Sequence, residues 1–290
     1  NNFSWWNILD ISHTVSMSQG IEVRDSLNND LLIKSAPCYN AAQQLVGWIV
    51  SIVDITRIRA AERSRDETLH FISHDMRAPQ ASILALLELQ QDSATALPMA
   101  EFLSRIEKAS RITLGLADNF VQLARAESQD YRFEELDFQE VLLDATEEMW
   151  SLARSKNIRI KSHIADGEFP VKVDRALMTR VLTNLLSNAV KYSPRDTEIT
   201  CSLDLEQNLA DAKLICTISD QGYGIPRADQ TKLFQRFQRF KSGDQPKNDG
   251  IGLGMVFVKA VLDRHQAQID FTSIPNEGTT FKIKLPTSLV

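Results

Sequence analysis

Gly250-Ile251-Gly252-Leu253-Gly254, running into the apolar stretch Met255-Val256-Phe257-Val258, decides how this chain folds. Glycines at alternate positions just before a helix leave backbone N–H groups free to face an anion such as phosphate. A dinucleotide fingerprint needs G-x-G-x-x-G, but position 255 is Met, and G-x-x-x-x-G-K-S/T occurs nowhere. The P-loop and Rossmann routes to nucleotide binding are therefore closed.

Two further patterns lie upstream. Asp220-Gln221-Gly222-Tyr223-Gly224-Ile225-Pro226 follows a predicted strand at 215–219. A carboxylate there can accept a hydrogen bond from an exocyclic amine, and glycine lets the backbone approach a flat ligand closely. Taken alone, Asp and Gly after a strand also make an ordinary tight turn. Asn184-Leu185-Leu186-Ser187-Asn188-Ala189-Val190-Lys191-Tyr192-Ser193-Pro194 sets Asn184 and Asn188 four apart, on one face of a helix. Amide oxygens can help hold a hard cation that also binds phosphate. Without the glycine motifs, a solvated or capping Asn pair is the simpler reading. The polar, basic segment 226–249, with Leu233-Phe234-Gln235-Arg236-Phe237-Gln238-Arg239-Phe240 inside it, reads as a loop or lid.

Periodicity around these patterns predicts helices near 138–155, 174–192 and 251–266. It predicts strands near 158–164, 199–206, 213–219, 267–274 and 279–285.

Residues 57–91 lack Gly and hold one proline, Pro79, in an Ala-, Arg-, Glu- and Leu-rich helical composition, with Asp54 or Thr56 placed to cap the start. After a break at 93–98, a second helix is predicted from Met99 to Ser128. Its apolar positions Phe102, Ile106, Ala109, Leu116, Phe120 and Leu123 form a coiled-coil-like stripe. Two such helices joined by a short loop make an antiparallel hairpin, and two hairpins in a four-helix bundle bury the stripe. Within the first helix lies Phe71-Ile72-Ser73-His74-Asp75-Met76-Arg77-Ala78-Pro79. The spacing His70-x-x-x-His74 is that of zinc ligands, but Phe71 stands where a zincin needs Glu.

Before residue 57, the β-branched and aromatic run Gly47-Trp48-Ile49-Val50-Ser51-Ile52-Val53-Asp54 predicts a strand leading into a helix. Its sequence, GWIVSIVDITRIRAAE, resembles the closing strand and exit helix of a PAS sensor domain, with room for about half of one; a junction of another α+β module is the alternative.

The 32 basic against 38 acidic residues give a net charge of −6, which argues against non-specific nucleic-acid binding. Cys38, Cys201 and Cys216 are three scattered cysteines with no CxxC pair, so a zinc ribbon is not expected and buried structural thiols in a reducing compartment are. No apolar run approaches the ~20 residues of a membrane helix.

In order and spacing, the segments at 71–79, 184–194, 220–226, 233–240 and 250–254 resemble the H, N, G1, F and G2 boxes of bacterial sensor histidine kinases, over roughly residues 57–290. The resemblance implies a multidomain α+β protein. Residues 1–56 would be a partial PAS-like α/β segment. Residues 57–130 would be a dimerisation and histidine-phosphotransfer hairpin, forming a dimeric four-helix bundle. Residues 131–290 would be a catalytic α/β sandwich of the GHKL (Bergerat) ATP-binding kind, shared with Hsp90-type chaperones, MutL and type II topoisomerases.

The same resemblance makes His74 the phosphoacceptor, Asp75 its acidic partner, and ATP and Mg²⁺ the cofactors. Asn188 is then the Mg²⁺ ligand with Asn184 beside it, Lys191 and Tyr192 reach the nucleotide, and Asp220 receives the adenine amine. Gly222, Gly224, Gly250, Gly252, Leu253, Gly254 and Thr279 complete the ATP site, with Phe237 and Arg239 from the lid; Phe234 is expected as a core anchor. The implied partners are a second copy of the chain and a separate response-regulator receiver domain with its acceptor aspartate. The implied location is the cytoplasm, with any membrane attachment carried by an upstream part. Two positions depart from the pattern. Ala78 stands where many relatives carry Thr or Asn to position water for partner dephosphorylation, and Gln80 stands where Leu is usual. A GHKL-type ATPase or conformational clamp is the rival reading; it needs a general-base Glu where this chain has Asn184. An inactive scaffold is the other.

Overall fold

The computed structural model describes residues 19–92, 95–128, 130–207, 212–236, 238 and 252–287. The chain divides after Ala78 into two compact units.

In the first unit, β1 (Ile21–Arg24), β2 (Asp30–Tyr39) and β3 (Leu45–Asp54) form an antiparallel meander. Both turns are shaped by an Asx side chain that collects backbone amides. The Asp25 carboxylate accepts from Leu27 and Asn29, and the Asn40 amide oxygen from Ala42 and Gln44. β3 passes directly into α1 (Thr56–Gln91). The Asp54 carboxylate accepts the Thr56 amide at 2.9 Å, the Thr56 hydroxyl accepts the Asp30 amide at 2.9 Å, and the Ile55 amide donates to Asp30 O at 2.9 Å. Arg59 pairs with Glu22, and Arg63 with Asp30, so the first turns of α1 are tied to β1 and β2. α1 continues through Pro79, which forfeits one backbone hydrogen bond.

In the second unit, α2 (Met99–Glu127) buries Phe102, Ala109, Leu116 and Leu123, each seven residues after the last. A seven-residue repeat of buried side chains is a coiled-coil seam. β4 (Glu134–Asp137) and β6 (Pro170–Val173) make a two-stranded ladder. The main sheet is ordered β5 (Arg159–Ile164), β7 (Glu198–Gln207), β8 (Ala212–Ser219), β10 (Gly278–Pro286), β9 (Gln268–Ile274), with β5 parallel to β7 and the other pairs antiparallel.

The helices of this layer are α3 (Phe138–Ser155), α4 (Arg175–Tyr192), the single turn α5 (Arg227–Gln230) and α6 (Gly254–Arg264). Asp137 caps α3 through the Gln139 amide, and Asp174 caps α4 through the Leu177 amide. The core joins Phe138 and Leu142 of α3, Leu182 and Leu186 of α4 and Val258 of α6 to Ile199, Leu214 and Ile283 of the sheet. The alternate sheet positions Thr200, Ser202, Thr217 and Lys282 form the polar opposite face. The C-terminal part is thus a two-layer α/β sandwich.

The predicted helices and strands of this part appear within a few residues of their expected ends. β4 and β6, four residues each, were not anticipated. Cys201 and Cys216 are buried free thiols, whereas Cys38, expected to be buried, is only half so. Burial lifts the Cys201 thiol to about 12. Among the described residues, no helix is long and apolar enough to cross a membrane.

Candidate active site

α4 carries the first half of the site. The Asn184 amide nitrogen donates to Arg180 O at 2.9 Å, leaving its oxygen against the start of α6: a Cβ on Gly254 would sit 3.1 Å from it. One turn on, the Asn188 amide nitrogen reaches Met255 Sδ at 3.5 Å. The Asn face of α4 therefore packs directly against the glycine-led start of α6. Gly252 adopts φ 75°, a left-handed turn, and Leu253 beside it is buried. At the far end of α4, the Lys191 ammonium lies 5.3 Å from the centre of the Tyr192 ring.

β8 leads into the second half, with Asp220 immediately after its last residue. The Asp220 amide donates to Thr279 O at 2.9 Å. Its carboxylate accepts the amides of Gly222 at 2.8 Å and Thr279 at 3.1 Å. Burial raises this carboxyl to about 6, and the two amide donors only partly offset the loss of water. Tyr223 N–H donates to Tyr192 O at 3.2 Å, joining the glycine turn to the end of α4. A Cβ on Gly222 would lie 2.7 Å from Asp220 Oδ1 and 2.8 Å from Tyr192 O, so only glycine fits between them. Gly224, at φ +65°, abuts the Ile274 carbonyl.

Thus Asn184, Asn188, Tyr192 with Lys191, Asp220, Gly222, Gly224, Gly254 and Thr279 form one connected cluster, with Gly252 and Leu253 at its α6 edge. Phe237, Arg239 and Gly250 lie outside the described residues. Phe234 packs edge-on to Phe271, with ring centres 6.0 Å apart, as the expected core anchor. His74 and Asp75 belong to the first unit. His74 Nδ1 lies 3.2 Å from Asp75 Oδ1, and the imidazole is 72% exposed.

Sequence reasoning missed Gly278 and Ser273. Gly278, at φ +118°, leaves no room for a Cβ, which would fall 2.0 Å from Asp220 O. The Ser273 hydroxyl accepts the Ile225 amide at 2.8 Å and lies 2.9 Å from Thr279 Oγ1, fixing the loop beyond Gly224. The turn residues Asn276-Glu277-Gly278 between two predicted strands were the available signal for Gly278.

Residues 173–289 match the family described as histidine kinase-, DNA gyrase B-, and HSP90-like ATPase. The sensor histidine kinase WalK of Bacillus subtilis (strain 168) is 28% identical over 247 residues, covering 83% of this chain and 39% of WalK. The sensor protein EvgS of Escherichia coli (strain K12) is 28% identical over 289 residues, covering 94% of this chain and 24% of EvgS. The chain therefore spans well under half the length of these curated relatives. In fold, it matches the Acinetobacter baumannii histidine kinase AdeS with a TM-score of 0.59 at 21% identity, over 74% of this chain and 98% of that one. It also matches the histidine kinase ThkA, crystallised with the response regulator protein TrrA, with a TM-score of 0.60 at 20% identity, over 96% of this chain and 81% of that one. Motif order, the matched ATPase domain and the two sequence relatives agree in likening the chain to bacterial sensor histidine kinases, and residues 173–289, the greater part of its C-terminal sandwich, match the histidine kinase-, DNA gyrase B-, and HSP90-like ATPase family.

Proposed function

We propose that the chain uses ATP to phosphorylate its own His74 and passes the phosphoryl group to an aspartate of a separate response regulator. The pose of His74 carries this reading. A carboxylate can only accept, so the Asp75 contact places the ring proton on Nδ1 and leaves the lone pair on Nε2. The ring is exposed, as an acceptor of an incoming phosphoryl group must be. Nε2 attacks the γ-phosphorus, the bond to the bridging β-phosphate oxygen breaks, and ADP leaves; the Nδ1 proton can pass to Asp75. Such transfer depends on in-line positioning and charge neutralisation.

In the ATP domain, Asp220 receives the adenine amine and the α6 N-terminus faces phosphate. Asn188 fits a Mg²⁺ ligand: its amide nitrogen is turned to Met255 Sδ, which leaves its oxygen for a hard cation sharing phosphate oxygens. Bound Mg²⁺ neutralises charge on the phosphates. Lys191, Phe237 and Arg239 complete the nucleotide contacts.

The domain limits proposed are 1–56, 57–130 and 131–290. The meander that leaves through Asp54-Ile55-Thr56 supports a PAS-like input segment. Leu84 and Leu87 of α1, and Leu103, Leu114 and Val121 of α2, remain exposed, which supports pairing of two copies into a four-helix bundle. The response-regulator partner is supported by the complex formed by ThkA, and a cytoplasmic site of action accords with a kinase of this kind. Partner dephosphorylation through a water positioned four residues after His74 is weak or absent, because Ala78 has no hydrogen-bonding side chain.

Incubation with γ-labelled ATP and Mg²⁺ tests the proposal. Acid-labile, alkali-stable label on the protein, abolished in His74→Gln, is the expected result. Phosphate release without labelling favours a clamp-type ATPase, and neither outcome favours an inactive scaffold; either result refutes the kinase.

A further inference from the structure

Lys156 immediately follows α3 and lies outside the residues assigned to nucleotide binding. Its ammonium donates to three backbone carbonyls at the end of α4: Val190 O and Lys191 O, each at 2.8 Å, and Ser193 O at 3.1 Å. The last carbonyls of a helix lack intrahelical partners and carry the negative end of its dipole. An ammonium has three donors and no acceptor, so this set of bonds uses its whole capacity. Burial holds the Lys156 amine below its usual range, as expected for a cation drawn out of water, and the nearby Arg195 adds to the effect.

The surrounding loops are tied as well. Asp196 N–H donates to Lys156 O at 3.3 Å, and the Asn157 amide donates to Asp196 Oδ1 at 2.5 Å. The segment held in this way is the one that carries Lys191 and Tyr192. Its Tyr192 carbonyl accepts the Tyr223 amide and presses against Gly222.

We infer that Lys156 is a positioning residue for the nucleotide site: its ammonium sets the pose of Lys191, Tyr192 and the Gly222 turn from outside the pocket. The inference rests on the ATP-binding reading of that pocket. In Lys156→Met, the terminal carbonyls lose their cation and the last turn of α4 frays. Lys191 and Tyr192 then have to be reordered when nucleotide binds.

The test uses the whole chain as wild type, Lys156→Met and Lys156→Arg. In ligand-free protein, hydrogen exchange at the Tyr223 amide and at 189–193 should quicken in Lys156→Met, with Leu177–Val181 unchanged and Lys156→Arg near wild type. Calorimetry with a non-hydrolysable ATP analogue and Mg²⁺, well below the melting temperature, should show affinity weakened about five- to tenfold in Lys156→Met. Labelling of His74 at saturating ATP should stay within about twofold of wild type, placing the effect on KM rather than kcat. Unchanged exchange, or wild-type affinity in folded Lys156→Met, overturns the inference. A wild-type chain that binds no nucleotide overturns the functional reading instead, while the exchange data still decide whether Lys156 holds the end of α4.

Discussion

Replacing Gly278 by Ala should damage fold and site together. At φ +118°, an L-residue pays a backbone penalty of roughly 1–2 kcal/mol. Independently, the new methyl would lie 2.0 Å from Asp220 O, well inside the 3.0 Å that real contacts respect, so the carbonyl must retreat by about 1 Å. Forced overpacking of this kind costs about 1–3 kcal/mol, and the two terms together give about 2–5 kcal/mol. That is a large fraction of the roughly 5–15 kcal/mol holding a domain together. The displaced residue is Asp220, whose carboxylate is aligned by amide bonds of 2.8 and 3.1 Å, so nucleotide affinity should fall at least about tenfold. Denaturant titration gives the first number, and binding of a fluorescent ATP analogue the second. Gly167→Ala is the internal comparison: φ is +138° but nothing lies within 4 Å, so only the backbone penalty of about 1–2 kcal/mol applies. If Gly278→Ala costs no more than Gly167→Ala and leaves affinity intact, steric confinement around Asp220 is the wrong explanation.

Asp220→Asn should weaken adenine-nucleotide binding while raising the melting temperature at pH 8. The wild-type carboxyl has a raised pKa, so its favourable protonated form is present at low pH and is lost as pH climbs through about 6; a melting temperature at pH 8 below wild type would contradict this. By the same group, wild-type nucleotide affinity should decline as pH drops from 7.5 to 5.5, and calorimetry on Asp220→Asn should give a flat profile. His265 acts with the opposite sign. Burial holds its imidazole below the usual range, with Nε2 accepting the Asp174 amide and Nδ1 donating to Val261 O. Stability from this group is full above about pH 6.5 and is lost as pH falls, so His265→Gln should flatten the acid limb of a thermal-stability profile. Gly115→Ala, inside α2 with nothing within 4 Å of the new methyl, should stabilise by about 0.5–1 kcal/mol in denaturant titration.

The parts of this architecture that depend on short-range chemistry could be read from residue order. The Asp54 cap at the start of α1, the spacing of Asn184 and Asn188, and the seven-residue recurrence along α2 are each set by neighbours within a turn or two. β4 and β6 were not readable, because four residues carry too little alternation to separate a strand from a loop. Gly278, Ser273 and Lys156 were missed for a different reason. Each acts on a segment distant in sequence, as with Lys156 reaching the end of α4, and periodicity holds no record of such contacts. Gly222 illustrates both limits. Its place in a glycine motif is visible in the sequence, but its confinement between Asp220 and the Tyr192 carbonyl emerges only once β8 and α4 are side by side.

The continuity of α1 has a geometric corollary. From Thr56, locked to Asp30, to His74 is 74 − 56 = 18 residues of unbroken helix. At 3.6 residues per turn that is about five whole turns, or roughly 27 Å, so the imidazole shares the azimuth of the residue that leaves the small sheet. A twist applied at that exit would reach His74 as the same angular displacement. Adding one residue between them would swing His74 by about 100°, whereas adding seven would return it to within about 20° of its original phase.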